Sequence, residues 1–134
     1  MKYKFTIKGT LPVLNDYLKA ERSFRRGHSC GNDMKQKYQM IISNAIRLQL
    51  KKTKIEKQVK VITRYYEPNR KRDPDNIAGV AHKFILDSLQ KCNVIKNDGW
   101  ENIKGFEDEF FVDKKNPRIE VTLEEVEECR REIT

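Results

Sequence analysis

Apolar and polar residues alternate in three stretches of the chain, at about residues 2–8, 59–66 and 119–123. This period of two is typical of strands that bury one face. A further strand is suggested by Phe106 and Phe110-Phe111-Val112. Lys115-Asn116-Pro117, between this strand and the stretch at 119–123, is a turn-forming sequence. The pattern therefore predicts four strands, with the last two joined as a hairpin.

Two other stretches repeat their apolar residues at helical spacing. In the first, Asn32 or Asp33 can cap a helix that ends near Lys51-Lys52. The second runs from Pro74 to about Lys91. The predicted order is β-α-β-α-β-β. This order indicates an α+β fold with two helices packed on a small mixed sheet of about four strands.

Residues 15–32 show no sustained period and predict a long loop, which in a compact domain is usually functional. The loop is basic, because Arg22, Arg25 and Arg26 surround Phe24. Cations interleaved with an aromatic residue suit a nucleic-acid backbone and an unstacked base. The three arginines are therefore candidate nucleic-acid contacts. Phe24 can equally anchor the loop to the core, and the sequence leaves both interpretations open.

Charge divides the chain into two unlike halves. Residues 1–72 hold 19 Lys and Arg against 5 Asp and Glu, a net charge of +14, whereas residues 73–134 hold 9 against 15, a net charge of −6. A basic surface of this size attracts polyanions, and nucleic acid is the commonest polyanion in cells. Attraction between the two halves is the alternative explanation. At 134 residues and 37% hydrophobic, the chain is expected to fold as one domain.

The cysteines argue against a zinc or dithiol centre, because Cys30, Cys92 and Cys129 form no Cys-x-x-Cys pair. His28 lies close to Cys30, but the only other histidine is His82, so a tetrahedral zinc site lacks ligands. The N-terminus has no apolar run of signal-peptide length, and no later segment is long enough to span a bilayer. We expect a cytoplasmic protein with reduced thiols and no membrane partner.

The basic block Arg70-Lys71-Arg72 is followed directly by Asp73-Pro74-Asp75-Asn76. Asp at an N-cap, Pro at the first helical position and Asp in the first turn make a good helix start, so capping alone would explain both acids. However, Asn76, Lys83 and Asp87 fall within about 20° of one line when the helix is projected at about 100° per residue. The polar stripe of the helix thus begins at the carboxylates.

A third carboxylate, Asp98, follows the helix in the turn-prone sequence Asn97-Asp98-Gly99. Hydrolysis of a phosphodiester with Mg²⁺ usually needs two or three carboxylates, which hold the metal against a phosphate oxygen and a water. Asp73, Asp75 and Asp98 are therefore candidate catalytic metal ligands.

Cations would complete such a site, because the transition state gains negative charge. Lys83 is the candidate catalytic cation, and Arg70, Lys71 and Arg72 would bring a phosphate to the metal. Asp87, one turn from Lys83, would either orient that lysine or form only a solvated ion pair with it.

Three blocks occur in order along the chain: Arg72-Asp73-Pro74-Asp75-Asn76-Ile77, Lys83-Phe84-Ile85-Leu86-Asp87-Ser88-Leu89 and Val94-Ile95-Lys96-Asn97-Asp98. Together they resemble the core of the RusA family of Holliday junction resolvases. Leu11-Pro12-Val13-Leu14-Asn15 is similar to the opening Pro/Asn motif of that family, so Asn15 and Asn76 join the candidate nucleic-acid contacts. The chain departs from the family at Lys83, which lies about one turn further along the helix, and at Asn97, where an acid is common.

The resemblance implies a homodimeric endonuclease that resolves four-way DNA junctions by paired nicks in recombination and repair. It implies Mg²⁺ as the cofactor, with Mn²⁺ able to replace it, and no small-molecule cofactor. The metal carboxylates would map to Asp73, Asp75 and Asp98, and the family lysine to Lys83. Residues 1–124 would form the nuclease domain, and residues 125–134 a short acidic C-terminal helix or tail.

Dimerisation has a further argument, because a chain with one carboxylate cluster cannot make two symmetric nicks at once. Trp100, Phe106, Phe110 and Phe111 are candidates for the shared surface, although ordinary core positions are the preferred interpretation. Two functional alternatives stay open. One is a non-catalytic DNA- or RNA-binding module whose aspartates only cap a helix, and the other is a nuclease that prefers flaps or forks.

Overall fold

The computed structural model describes residues 1–22, 24–25 and 28–126. Its elements are β1 (Lys2–Lys8), α1 (Leu14–Glu21), β2 (Phe24–Arg25), β3 (His28–Ser29), α2 (Cys30–Gln49), β4 (Val59–Glu67), α3 (Pro74–Lys91), β5 (Ile103–Val112) and β6 (Arg118–Glu125). The α+β class, the four-stranded mixed sheet and the order of its main elements are confirmed. The expected number of helices was wrong, because α1 adds a third, and β2 and β3 form a separate two-stranded ribbon.

The four long strands lie in the order β1-β6-β4-β5. β6 runs antiparallel to both β1 and β4, whereas β4 and β5 are parallel. The predicted hairpin of the last two strands is therefore wrong, since β4 lies between them. Parallel strands need a crossover connection, and α3 supplies it between β4 and β5.

One face of the sheet is covered by helices, and it forms the core. The buried residues of the strands, such as Phe5, Tyr65 and Leu123, pack there against buried residues of α2 and α3. The other face carries charged side chains that pair across strands, for example Lys60 with Glu107 at 3.2 Å. The main body of the described structure is thus one layer of helices on the four-stranded sheet.

The predicted loop at residues 15–32 is replaced by α1, by the ribbon and by an earlier start of α2. In α1 only Tyr17 is buried, so this eight-residue helix leaves almost no periodic signal. α1 packs closely on α2 at Gly31, where an added Cβ would lie 2.8 Å from the Glu21 Cα. Only glycine permits this approach of the two backbones.

α3 matches its predicted bounds, Pro74 to Lys91. Of the predicted terminal segment 125–134, Glu125 ends β6, and residues 127–134 lie outside the described residues. None of the helices in the described ranges is both long and apolar enough to cross a membrane.

Candidate metal and nucleic-acid site

A cleft opens where the parallel strands β4 and β5 end and α3 begins. It measures about 610 Å³, and its walls include Glu67, Arg70, Arg72, Asp73, Phe110 and Val112. Ligands of open α/β sheets usually bind outside the carboxyl ends of the strands. The topology therefore places the aspartate block of the sequence at this kind of edge.

Asp73 holds the N-cap position of α3, with an extended backbone at φ −75° and ψ 141°, but its side chain makes no capping hydrogen bond. Pro74 follows at the first position of the helix, where its fixed φ favours helix initiation. The Asp75 side chain accepts a hydrogen bond from the backbone N–H of Asn76 at 2.9 Å. Capping therefore does not account for the Asp73 carboxylate, which has no hydrogen bond or ion pair within the described residues.

Both aspartate side chains are exposed at the start of an 18-residue helix. The positive end of a helix dipole favours negative charge, and it lowers the cost of placing two carboxylates close together. Mg²⁺ is commonly held by one or two carboxylates while it keeps several waters. Asp73 and Asp75 have the oxygen chemistry and the exposure that such a metal requires.

Arg72 connects the aspartate block to the protein instead of pointing into solvent. Its Nη2 donates to the Leu11 carbonyl at 2.5 Å, and its Nε lies 3.3 Å from Glu67 Oε1. This second contact is an ion pair without hydrogen-bond alignment, since the buried Nε has no hydrogen-bond acceptor. Arg70 and Lys71, in contrast, are exposed. Phosphate binding stays a prediction for all three cations, and it suits Arg70 and Lys71 best.

Glu67 is a buried carboxylate of the cleft that the sequence interpretation missed. Its burial raises the pKa of the carboxyl group, while the positive charge of Arg72 acts in the opposite direction. A signal was available, because the buried alternation Val59, Val61, Thr63, Tyr65 continues to residue 67. The strand pattern thus predicts a buried acid at the edge of the site.

The start of α1 lies beside the start of α3, since a Cβ on Gly79 would be 3.6 Å from the Leu14 side chain. Asn15, exposed in the first turn of α1, and Asn76 therefore lie on the side of the molecule where the aspartates are. Arg22 follows α1 at its opposite end. Arg25 belongs to β2, and Arg26 lies outside the described residues.

Lys83 is more than two helical turns from the aspartate pair. It follows Asp75 by eight residues, which is about 12 Å along the helix axis. Its Nζ lies over the Tyr17 ring, 5.5 Å from the centroid. Asp87 pairs with Lys35 at 3.3 Å and accepts a hydrogen bond from Gln39. The expected pairing of Asp87 with Lys83 is therefore wrong.

Asp98 lies beyond the opposite end of α3. The helix is about 27 Å long, and the neighbouring Gly99 carbonyl accepts a hydrogen bond from Ile103, the first residue of β5. Across the described ranges, no three His, Cys, Asp or Glu side chains are grouped so that they could hold a metal ion. A single copy of the chain thus brings Asp73 and Asp75 together but does not bring Asp98 to them.

A basic groove of about 590 Å³ lies at the same end of the molecule as Asp98. Its lining includes four cations: Arg47, Lys51, Lys52 and Lys54. In the sequence, Lys51 and Lys52 were identified only as the predicted end of the first helix. The structure adds a surface suited to phosphates.

The fold and the site together define a small α+β protein that presents a carboxylate pair and exposed cations at the carboxyl edge of its parallel strands. A family model described as endodeoxyribonuclease RusA matches residues 14–124. This match covers most of the chain, and the chain belongs to the RusA endodeoxyribonuclease family. The resemblance noted in the sequence is thereby confirmed. No curated protein matches the chain.

Proposed function

We propose that the chain is a Mg²⁺-dependent endodeoxyribonuclease that resolves four-way DNA junctions by paired nicks in recombination and repair. The observation that carries this proposal is the unpartnered Asp73 carboxylate beside Asp75, inside the segment that matches the family. If both aspartates capped the helix, neither carboxylate would be free to bind a metal. Asp73 makes no capping hydrogen bond, so its carboxylate is free to do so.

Asp73 and Asp75 would hold the metal, which supplies Lewis-acid activation of a phosphate oxygen and of the attacking water. Arg70 and Lys71 would bind the phosphates that flank the scissile bond, because both are exposed next to the aspartates. Arg72 acts indirectly. It fixes the turn that carries Asp73 through its contacts with Leu11 and Glu67.

Lys83 is too far from the pair to act at the same phosphate in one copy of the chain. We therefore assign it to DNA binding along the polar stripe of α3. Asn76 begins this stripe next to the aspartates, and Asn15 lies at the nearby start of α1. Lys83, Asn76 and Asn15 would therefore contact one strand of a junction arm. Arg22 would extend the contact along α1, and Arg25 and Arg26 follow it in the sequence.

The test is nicking of an end-labelled synthetic four-way junction in Mg²⁺ or Mn²⁺. Asp75→Asn should abolish nicking and leave junction binding intact, because cations bind the phosphates while the carboxylate serves the metal. Asp33→Asn is the matched control, since Asp33 is also exposed in the first turn of a helix. It should nick like the wild type.

Absence of nicking by the wild type, or equal nicking by Asp75→Asn, would contradict the proposal. Salt-sensitive binding without nicking in any metal would support the non-catalytic binding module instead. Flaps and forks assayed beside the junction decide the preference. If a flap or a fork is cleaved faster than the junction, that structure is the preferred substrate.

A further inference from the structure

We propose that Phe111 is a stacking platform for one unstacked base of the DNA, beside the cleft that contains Asp73. The base would come from the branch point of the junction, where the arms diverge. This inference deepens the proposed nuclease function, and it rests on that function only for the choice of branched DNA as the ligand. It adds a contact to a base, whereas Arg70 and Lys71 would bind phosphates.

Three of the four aromatic residues between positions 100 and 111 are exposed. Trp100 is 72% exposed, Phe106 44% and Phe111 40%. Phe110 packs as a core residue, stacked on Tyr65 with ring centroids 5.0 Å apart. The core interpretation is therefore confirmed for Phe110 and wrong for the other three. Phe111 differs from the other exposed rings because it lines the aspartate cleft.

Phe111 ends a row of three stacked side chains on the sheet face that the helices leave uncovered. Tyr66 of β4 is in register with Arg118 of β6 on one side and with Phe111 of β5 on the other. The Arg118 guanidinium carbon lies 3.8 Å from the centroid of the Tyr66 ring. The rings of Tyr66 and Phe111 stack with centroids 5.0 Å apart and 19° between their planes. Because β5 is the last strand of the sheet, the row stops at Phe111.

The row is held rigidly at its inner end by ion pairs of Arg118. Its Nη1 donates to Asp113 Oδ2 at 2.7 Å, and its Nε donates to Glu120 Oε2 at 3.0 Å. These two bonds fix the guanidinium group over the Tyr66 ring, on which Phe111 is stacked in turn. A surface that is already ordered binds a flat ligand with little loss of side-chain entropy.

The outer side of the Phe111 ring faces away from Tyr66. In the part of the chain that the structure describes, Tyr66 is the only aromatic or cationic group stacked on this ring. A base can extend the row on the outer side, since every base has a π-face that stacks on aromatic side chains. The ring also lines the cleft with Arg70 and Asp73. A DNA strand whose phosphates contact Arg70 therefore passes the ring.

Such a platform would give selectivity for DNA structure. In a continuous duplex the bases stack on one another, so Phe111 would gain no partner. Moving a base out of the stack costs free energy, and the cost is lowest where pairing or stacking is already disturbed. Stacking on Phe111 thus favours a branch point over continuous duplex, a distinction that contacts to phosphates alone do not supply.

The test is a double-mutant cycle between the Phe111 ring and single bases. Binding is measured in a metal chelator, so that cleavage plays no part. Four-way junctions are made with one abasic nucleotide each, at successive positions from the branch point. The wild type should bind one of them about tenfold more weakly than the intact junction, because it loses one stacked base. Phe111→Ala should bind the intact junction about tenfold more weakly than the wild type and show no further loss at that position.

Phe106→Ala is the matched control. Phe106 is also an exposed phenylalanine of β5, but five residues separate it from Phe111, so the two side chains point to opposite faces of the strand. This variant should keep the base dependence of the wild type. Phe111→Trp should keep it as well, because the larger ring still stacks, whereas Phe111→Leu should lose it. Circular dichroism should show the wild-type fold for each variant.

Two results overturn the stacking contact. One is that no abasic position weakens binding by the wild type, as expected if protein covers the ring instead of a base. The other is a base dependence that persists undiminished in Phe111→Ala. Failure of the nuclease function gives a different result. Base-dependent binding without nicking in Mg²⁺ refutes the nuclease and supports the contact, whereas nicking without base dependence refutes the contact alone.

Discussion

Arg72→Ala should destabilise the fold by about 3 kcal/mol at pH 7. The change removes a charge-assisted hydrogen bond to the Leu11 carbonyl, and bonds of this kind contribute about 1.5–3 kcal/mol. It also leaves the buried Glu67 carboxylate without its cation, and breaking a buried pair costs about 3–5 kcal/mol. The Arg72 side chain is 29% exposed and its ion pair lacks hydrogen-bond alignment. Both contacts belong to one guanidinium group, so their costs overlap and are not summed, and the loss should stay near about 3 kcal/mol, the lower end of the range for a buried pair.

The assay is urea unfolding followed by circular dichroism, with the free energy of unfolding extrapolated to water. Lys71→Ala is the control, since this neighbouring cation is exposed and should change stability by no more than about 0.5 kcal/mol. The double variant Arg72→Ala/Glu67→Gln should recover about 1–2 kcal/mol, because it leaves no buried charge. A loss below about 1 kcal/mol for Arg72→Ala, or no recovery in the double variant, would refute the stabilising role of the contacts that Arg72 makes with Leu11 and Glu67.

Three further predictions concern single residues. Gly31→Ala should cost about 1–3 kcal/mol because the new Cβ meets the Glu21 backbone, whereas Gly79→Ala, with room for a Cβ, should stabilise α3 by up to about 1 kcal/mol; equal effects in urea unfolding would contradict the close approach. Glu67→Gln should gain stability over the wild type as pH rises. Burial raises the pKa of Glu67 above its ordinary 4.5, so the wild type loses stability as pH rises above 4.5 and the buried carboxyl group ionises, whereas the variant does not. The difference in free energy of unfolding between the two proteins should therefore vanish below pH 4.5. A difference that grows as pH falls would refute this. Lys83→Ala should slow single-turnover nicking by about tenfold or less, since about 12 Å of helix separates it from Asp75; a loss equal to that of Asp75→Asn would place Lys83 at the metal.

Periodicity was enough to predict β1, β4, β6 and α3, because these elements bury one face over seven or more residues. β5 was found from its apolar residues alone, since only Ile103 of this strand is buried. Periodicity failed for α1, whose eight residues bury one side chain. The order of strands also could not be obtained, because pairing of β6 with β1 joins residues more than 100 positions apart and leaves no local signal.

The candidate site also combines residues that a local motif predicts with residues that only the folded structure brings together. The aspartate pair is local to one helix start, so a short motif was enough to find it. The placement of Asp98 was inferred from a motif, although the correctly predicted length of α3, about 27 Å, means that the segment with Asp98 leaves the helix at the end opposite to Asp73. The place of Glu67 in the site and the contacts of Arg72 could not be predicted, because they form only where the end of β4 lies beside the segment before α1. Such contacts appear only once the chain is folded.

The central claim is that the carboxylates at the start of α3 hold a metal that cleaves DNA. Its most direct test is single-turnover nicking of a fixed four-way junction in Mg²⁺ by the wild type and by Asp73→Asn at saturating protein. We expect symmetric nicks by the wild type and a rate at least about 100-fold lower for the variant, equivalent to about 2.7 kcal/mol of transition-state stabilisation, with unchanged junction affinity. Equal rates, or nicking that persists in a metal chelator, would contradict it.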